Sequence, residues 1–210
     1  MRFENLIDRH HNCKFLILCG GSTVLKYKEQ ITKISQGMIT IGVANCFHIM
    51  RTKYNLWTNN RRFKEYGENI PDNTIPLFGS HLKKGNITTI FPNKRYITVP
   101  YTDIEGEKFG YDGNNITGFY RTSGNLAIML AHIMGARKIF VAGMDGHSFL
   151  FNGNQHHYGS GLTDNQPLDY CKEYDNIISN RLDALKGYGI KFHIITPTVF
   201  EQHYRKGVLI

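Results

Sequence analysis

The chain has 210 residues, of which 41% are hydrophobic and 20% are charged, so it is not a disordered polyelectrolyte. Its length predicts a single domain spanning residues 1–210. No apolar run approaches the roughly 20 residues of a membrane span, and residues 1–14 lack an apolar signal core, so we expect a cytoplasmic protein without a transmembrane segment.

The net charge of +8 is unevenly placed along the chain. Residues 1–105 carry fifteen Lys and Arg against eight Asp and Glu, whereas residues 106–210 carry ten against nine. A basic surface favours anionic partners such as nucleotides, nucleic acid or phosphorylated glycans. Biased composition explains the same numbers equally well, because no basic run exceeds two residues.

The beginning of the chain has the pattern of a βαβ unit. The apolar residues 14–18 (KFLIL) predict a buried strand, the glycines after them a turn, and residues 24–36 a helix. Residues 38–43 (MITIGV) are rich in β-branched side chains and predict a second strand. Such a unit implies a parallel sheet.

The middle of the chain is less regular. A helical turn is predicted at residues 61–66, and extended segments are predicted at residues 54–57, 74–78, 86–91 and 96–99. Four glycines between Asp103 and Phe119 predict a mobile loop that can close over a ligand.

Regular patterns return at residue 123. Residues 124–134 are apolar nearly all round and predict a helix buried in the core, whereas residues 168–187 predict an amphipathic helix. Residues 138–142 and 191–195 predict two further strands. The full pattern predicts an α/β fold, a single Rossmann-like domain with an open, mostly parallel sheet and helices on both faces.

Ligands of such sheets bind outside the carboxyl ends of the strands, where the first strand is followed by Gly20-Gly21-Ser22-Thr23. Glycines let the backbone approach a phosphate, and the next helix offers unpaired N–H groups. An ordinary strand-to-helix turn explains the same residues. The segment is not G-x-G-x-x-G and no G-K-[ST] follows, which speaks against NAD-binding Rossmann proteins and Walker NTPases.

A second cluster, Arg121-Thr122-Ser123-Gly124, opens the buried helix. Ser123 is predicted to cap this helix, and Gly124 to leave its first amides uncovered. An arginine beside such a helix start makes an anion site, although a capping segment without a ligand has the same residues.

A third cluster runs from Asp145 through His147, His156 and His157 to Tyr158. These histidines are candidate general bases or surface residues. Their spacing matches no zinc signature, and Cys13, Cys19, Cys46 and Cys171 form no C-x-x-C pair, so no metal site is predicted.

Two asparagines follow predicted strands. Asn45 comes after the second strand and Asn59 after the strand at residues 54–57. Side-chain amides at these places can hydrogen-bond a ribose or a base, and asparagine is equally a turn former.

The order of these segments resembles the bacterial lipooligosaccharide sialyltransferases and the related family that contains the archaeal 6-hydroxymethylpterin pyrophosphokinase. The strongest match is Arg121-Thr122-Ser123-Gly124, an apolar helix, and then residues 135–145 (GARKIFVAGMD). Segments around Asn45 and Asn59 resemble the two family segments whose asparagines contact the nucleotide. His157-Tyr158-Gly159 resembles the His-Tyr segment of the catalytic loop.

The resemblance implies a glycosyltransferase that moves a sugar of the sialic-acid type from a nucleotide-activated donor to a glycan or other hydroxyl acceptor, without a metal or other cofactor. CMP is the nucleotide that the resemblance suggests for this donor. It implies His157, Tyr158 and Arg121 as catalytic residues, with His156 or His147 as substitutes for His157 in proton abstraction. The residues implied in substrate binding are Gly20, Gly21, Ser22, Asn45, Asn59, Thr122, Ser123, Gly124 and Asp145.

Two other functions remain open from the sequence. A pyrophosphokinase acting on a pterin-like alcohol with ATP would need Mg²⁺, with Asp145 and Asp164 as ligands. A nucleotide- or nucleic-acid-binding module without catalysis would use the basic first half of the chain, including Arg61, Arg62, Lys83, Lys84, Lys94 and Arg95.

Overall fold

The computed structural model describes residues 2–92, 95–104, 109–150, 156–157 and 166–209. The strands in these ranges are β1 (Cys13–Leu18), β2 (Ile39–Val43), β3 (Tyr54–Trp57), β4 (Ile75–Gly79), β5 (Ile97–Val99), β6 (Tyr101–Asp103), β7 (Gly110–Tyr111), β8 (Ile116–Gly118), β9 (Ala136–Ala142) and β10 (Phe192–Ile194). The helices are α1 (Thr23–Lys26), α2 (Lys28–Ser35), α3 (Asn60–Tyr66), α4 (Lys84–Ile90), α5 (Ser123–Ile133) and α6 (Leu168–Gly187).

Within the described residues, seven strands form one parallel sheet in the order β10-β9-β1-β2-β3-β4-β5. Alternate side chains of each central strand enter different cores. Phe15 and Ile17 of β1 face the core that contains α5 and α6, whereas Leu16 and Leu18 face α1 and α2. Strands covered on both faces must be apolar throughout, as the predicted KFLIL run is.

The helices lie on both faces of the sheet, which confirms the predicted α/β, Rossmann-like architecture. Helix α5 packs on β1, β2, β3 and β9 and is covered by α6, so nearly its whole surface is buried, as its apolar sequence predicted. On the opposite face, α3 and α4 enclose an aromatic core around Trp57, Phe63 and Phe78.

Two predicted elements differ from the structure. Residues 86–91 were expected to be extended, but 84–90 form α4. Ile87 and Ile90 of α4, and Phe91 directly after it, pack in the aromatic core. Thr88 and Thr89 satisfy their hydroxyls on carbonyls one turn back, which suits β-branched residues to a helix. The helix predicted over residues 24–36 is divided at Tyr27 into α1 and α2.

The prediction of a mobile loop between Asp103 and Phe119 is wrong for the part of this segment that the structure describes. Strands β6, β8 and β7 form a small mixed sheet in which Ile116 is fully buried. Asp112 stabilises the turn between β7 and β8 by accepting from the backbone N–H groups of Asn114 and Asn115. Residues 105–108, which include Gly106, lie outside the described residues.

None of the helices in the described ranges combines the length and the apolar character needed to cross a bilayer.

Candidate functional site

A cavity opens where the strand order reverses. From β1 the chain proceeds through β2 to β5 on one side, and then returns to place β9 and β10 on the other. Ligands of open α/β sheets bind at this switch point, outside the carboxyl ends of the strands. The cavity there has a volume of about 660 Å³ and is lined by residues that follow β1, β2, β3 and β9, by the start of α5, and by parts of β6 and α6.

The turn after β1 forms one wall of this cavity through Gly20 and Gly21. A Cβ atom on Gly21 would lie 2.4 Å from Cγ of Asp145 and 2.6 Å from the carbonyl oxygen of Gly143. Only glycine therefore allows the turn after β1 to approach the turn after β9 this closely.

Asp145 lines the cavity but uses its carboxylate to hold the start of α1. One oxygen accepts from the backbone N–H of Thr23 at 2.8 Å and the other from the Thr23 hydroxyl at 2.5 Å. Asp145 is 2% exposed, and burial raises the pKa of its carboxyl to about 6. A Mg²⁺ ion, as the pyrophosphokinase alternative requires, would have to compete with both Thr23 contacts; Asp164 lies outside the described residues.

The start of α5 forms the opposite wall. Thr122, and not Ser123 as predicted, is the N-cap: it has extended backbone angles, and its hydroxyl oxygen accepts from the N–H of Asn125 at 3.3 Å. Ser123 is the first helical residue, and its hydroxyl contacts that of Thr58 after β3. Gly124 is buried and packs so closely that a Cβ atom there would lie 2.6 Å from Cε of Met144 and 3.0 Å from Sγ of Cys19.

Arg121 stands immediately before the cap with a φ of +62°, a conformation that is uncommon for a residue with a Cβ. Its guanidinium lies 4.2 Å from the centroid of the Tyr174 ring of α6, and both residues line the cavity. An exposed arginine in a strained backbone conformation beside a helix start is typical of a functional position.

The histidines occupy different places. His147 and His156 line the cavity, with ring centroids 6.3 Å apart. The backbone of residues 156 and 157 pairs with the turn after β1, since the N–H of His157 donates to the carbonyl of Gly20 at 3.0 Å. The side chain of His157 does not line the cavity, and burial lowers its pKa to about 4, with the nearby His156 and His48 contributing.

Some predicted site residues lie apart from the cavity or have another partner. Ser22 and Asn45 are buried and do not line it. Asn59 lines it, and its side-chain oxygen caps α3 by accepting from the N–H groups of Arg61 and Arg62 at 2.9 and 3.2 Å. Tyr158 lies outside the described residues.

The cavity also contains residues that sequence reasoning did not single out: Thr58, Tyr101, Asp103, Tyr120 and Tyr174. Asp103 follows no recognisable motif, and its carboxylate accepts from the N–H of Tyr120 at 2.9 Å. Only the position of Thr58 directly after a predicted strand offered a signal.

No group of three His, Cys, Asp or Glu side chains that could hold a metal ion occurs within residues 2–92, 95–104, 109–150, 156–157 and 166–209. The absence of such a cluster from these ranges does not test whether the reaction needs a metal, so that part of the sequence analysis stays a prediction.

Comparison with known proteins gives a loose likeness only. No protein-family model matches the chain, and no curated protein is significantly similar to it. A mammalian sialyltransferase in complex with Gal-beta-1-3GalNAc-ortho-nitrophenol is 10% identical, with a TM-score of 0.45 over 89% of this chain and 70% of that chain. A second mammalian sialyltransferase structure is 9% identical over the same shares, also with a TM-score of 0.45. A likeness at this level carries no argument about ligand or reaction.

Proposed function

We propose that this protein is a glycosyltransferase-like enzyme that transfers a sugar from a nucleotide-activated donor to a hydroxyl acceptor without a divalent metal. The observation that carries the proposal is the 660 Å³ cavity, in which the glycine turn after β1 and the start of α5 with Arg121 face the same space. A cavity of this size accommodates a ligand as large as a nucleotide sugar. The motif resemblance supports a donor sugar of the sialic-acid type and a CMP leaving group.

The donor phosphate and any sugar carboxylate would lie between the two walls. Gly20 and Gly21 let the backbone approach the donor, and the segment Thr122 to Gly124 presents the positive end of the α5 dipole. Asp145 would act indirectly by ordering the turn after β1, because its carboxylate accepts two hydrogen bonds from Thr23; Ser22 is buried in the same turn.

The nucleoside would lie toward the ends of β2 and β3. Asn59 is exposed there, and Asn45 follows Ala44, which lines the cavity. Among the described residues, neither polar atom of the buried Asn45 amide has a hydrogen-bond partner. An unsatisfied buried amide costs about 1–3 kcal/mol, so a rotation that brings Asn45 to a nucleoside would recover that energy.

Arg121 would stabilise the charge that develops on the leaving phosphate, together with Tyr158. The Arg121 guanidinium lies over the Tyr174 ring, and its planar fork of N–H donors is suited to bind two phosphate oxygens.

The first test is a thermal-shift panel of CMP, UMP, GMP, ATP and their sugar conjugates, with and without Mg²⁺. A ligand present at 100 times its Kd should stabilise the fold by about 2.7 kcal/mol. We expect CMP and its sugar conjugate to give the largest shift, independently of Mg²⁺. A response to ATP only in the presence of Mg²⁺ would contradict the proposal and favour the pyrophosphokinase.

The second test replaces Arg121 with lysine. Lysine keeps the charge but cannot stack on Tyr174 or bind bidentately, so we expect the Kd of the nucleotide donor to rise by about tenfold. The matched control is Arg137→Lys, since Arg137 is exposed at the amino end of β9, on the opposite edge of the sheet. Equal donor affinity in both variants, measured by calorimetric titration, would remove Arg121 from the donor site.

A further inference from the structure

One aromatic ring connects three elements at the cavity. The Arg121 guanidinium lies 4.2 Å from the centroid of the Tyr174 ring of α6. The same ring packs edge-on against the His147 ring, with 4.6 Å between the centroids. Arg121 belongs to the start of α5, and His147 to the turn after β9. An imidazole is therefore fixed next to the group that, under the proposed function, binds the leaving phosphate.

A buried carboxylate on the same helix holds the backbone that carries this imidazole. Asp175 is 5% exposed and accepts three hydrogen bonds: from the N–H of His147 at 2.6 Å, from the N–H of Ser148 at 2.8 Å and from the Ser148 hydroxyl at 2.6 Å. Gly146 permits this contact with a φ of +100°, because a Cβ there would lie 2.3 Å from the Val199 side chain. A buried mid-helix carboxylate that accepts three hydrogen bonds from one turn fixes that turn in place.

We infer that His147 is the residue that accepts the acceptor's proton, and that Asp175 is the positioning residue that holds it toward the cavity. The inference rests on the proposed function. The sequence prediction placed this role first on His157, with His156 or His147 as substitutes; the side chain of His157 does not line the cavity, whereas that of His147 does.

In the step, the acceptor oxygen forms a bond to the anomeric carbon of the donor sugar while the bond from that carbon to the phosphate oxygen breaks. The hydroxyl proton passes to a ring nitrogen of His147, and the nucleotide leaves with the electron pair of the broken bond. Arg121 stabilises the negative charge on the departing phosphate.

The charged and titratable groups around His147 favour this role. Burial lowers the pKa of the imidazole, Arg121 lowers it further, and the Asp175 carboxylate raises it. The rings of His156 and Tyr174 also lie beside it, at centroid distances of 6.3 and 4.6 Å. His147 is therefore neutral, and able to take a proton, at neutral pH.

The catalytic test measures sugar transfer from the donor that the thermal-shift panel identifies. We expect His147→Asn to reduce kcat by about 10²-fold or more, to remove the acidic limb of the pH profile and to leave nucleotide affinity within about twofold of wild type. His11→Asn, at an exposed histidine near the amino end of β1, is the matched control. Unchanged turnover of His147→Asn, or loss of the acidic limb in His156→Asn or His157→Asn alone, would overturn the assignment.

The positioning role is tested without turnover. The histidine side chains are titrated by long-range ¹H–¹⁵N correlation spectra, and the His147 signal is the one missing from His147→Asn. We expect Asp175→Asn to lower the pKa of His147, because the negative charge of the Asp175 carboxylate, which raises that pKa, is lost. An unchanged His147 pKa in folded Asp175→Asn would overturn the role of Asp175.

If Asp175→Asn does not fold, Ser148→Ala provides the second variant, because it removes one of the three bonds and keeps the carboxylate. A severalfold lower kcat with unchanged nucleotide affinity supports the inference, and an unchanged kcat contradicts it. Failure of every nucleotide to stabilise the wild type would overturn the proposed function and the catalytic assignment with it, while the spectroscopic result on Asp175 stands independently.

Discussion

Asp145 shows how a single buried carboxylate can connect the two turns that meet at the cavity. It follows β9, yet both of its oxygens accept from Thr23 at the start of α1. Burial disfavours its charged form more strongly than the two bonds favour it, so its pKa lies above the ordinary 3.8, at about 6.

This raised pKa makes stability depend on pH in a defined direction. Folding favours the protonated Asp145, so its contribution is fully present below pH 3.8 and is lost as the pH rises to about 6. Between pH 4 and 7, the free energy of unfolding of the wild type should fall by about 2 kcal/mol relative to Asp145→Asn. Urea denaturation at several pH values measures the difference, in which the other carboxylates cancel. Parallel curves for the two proteins would show that the Asp145 pKa is the same in the folded and unfolded chains.

At the scale of single elements, α4 shows where the sequence misleads. Its residues Ile87, Thr88, Thr89 and Ile90 are β-branched, which predicted a strand, but tertiary packing decides the conformation. Only the helical spacing brings Ile87, Ile90 and Phe91 onto the aromatic core together. The signal was present in the sequence as that spacing, and β-propensity outweighed it.

Two neighbouring substitutions separate a helix from a strand at this position. Ile87 is 4% exposed, whereas Thr88 is exposed. Ile87→Ala should lower the free energy of unfolding by about 2–4 kcal/mol through lost burial and a cavity. Thr88→Ala should leave it unchanged or raise it by up to about 0.7 kcal/mol, because alanine is the better helix former. Comparable losses in both variants, measured by urea denaturation, would be inconsistent with α4.

The same contrast applies to the candidate site. Glycine turns after apolar runs placed Gly20, Gly21 and Asp145 at one sheet edge, because local pattern and parallel topology suffice for that. The sequence could not show that Tyr174, far along the chain on α6, would meet Arg121, or that Asp175 would hold the turn carrying His147. Such contacts depend on how α6 packs over α5, which no local pattern encodes.

At the scale of the whole molecule, the positive charge of the first half continues from the cavity onto the surface. Arg61 and Arg62 line the cavity at the start of α3, and Lys83 and Lys84 are exposed at the start of α4. The two helix starts are tied together, since Asn60 of α3 accepts from the N–H of Lys83 at 2.9 Å. This basic surface suits an anionic acceptor held beside the donor, and it suits a nucleic-acid backbone equally.

Salt dependence separates a nucleotide in the cavity from a polyanion on this surface. A protein that neutralises 6–10 backbone phosphates loses about 10³–10⁵ in affinity between 50 and 200 mM salt, because releasing condensed counterions gains less entropy at the higher salt concentration. A mononucleotide has no condensed counterions, so we expect the Kd of CMP to rise less than about tenfold over that range. The double variant Lys83→Gln, Lys84→Gln should leave the CMP affinity unchanged and weaken any binding of single-stranded DNA. Calorimetric titration at four salt concentrations measures both ligands. Tight DNA binding with a steep salt slope, without any affinity for CMP, would identify a nucleic-acid-binding module, because the charge would then act across the surface and not in the cavity.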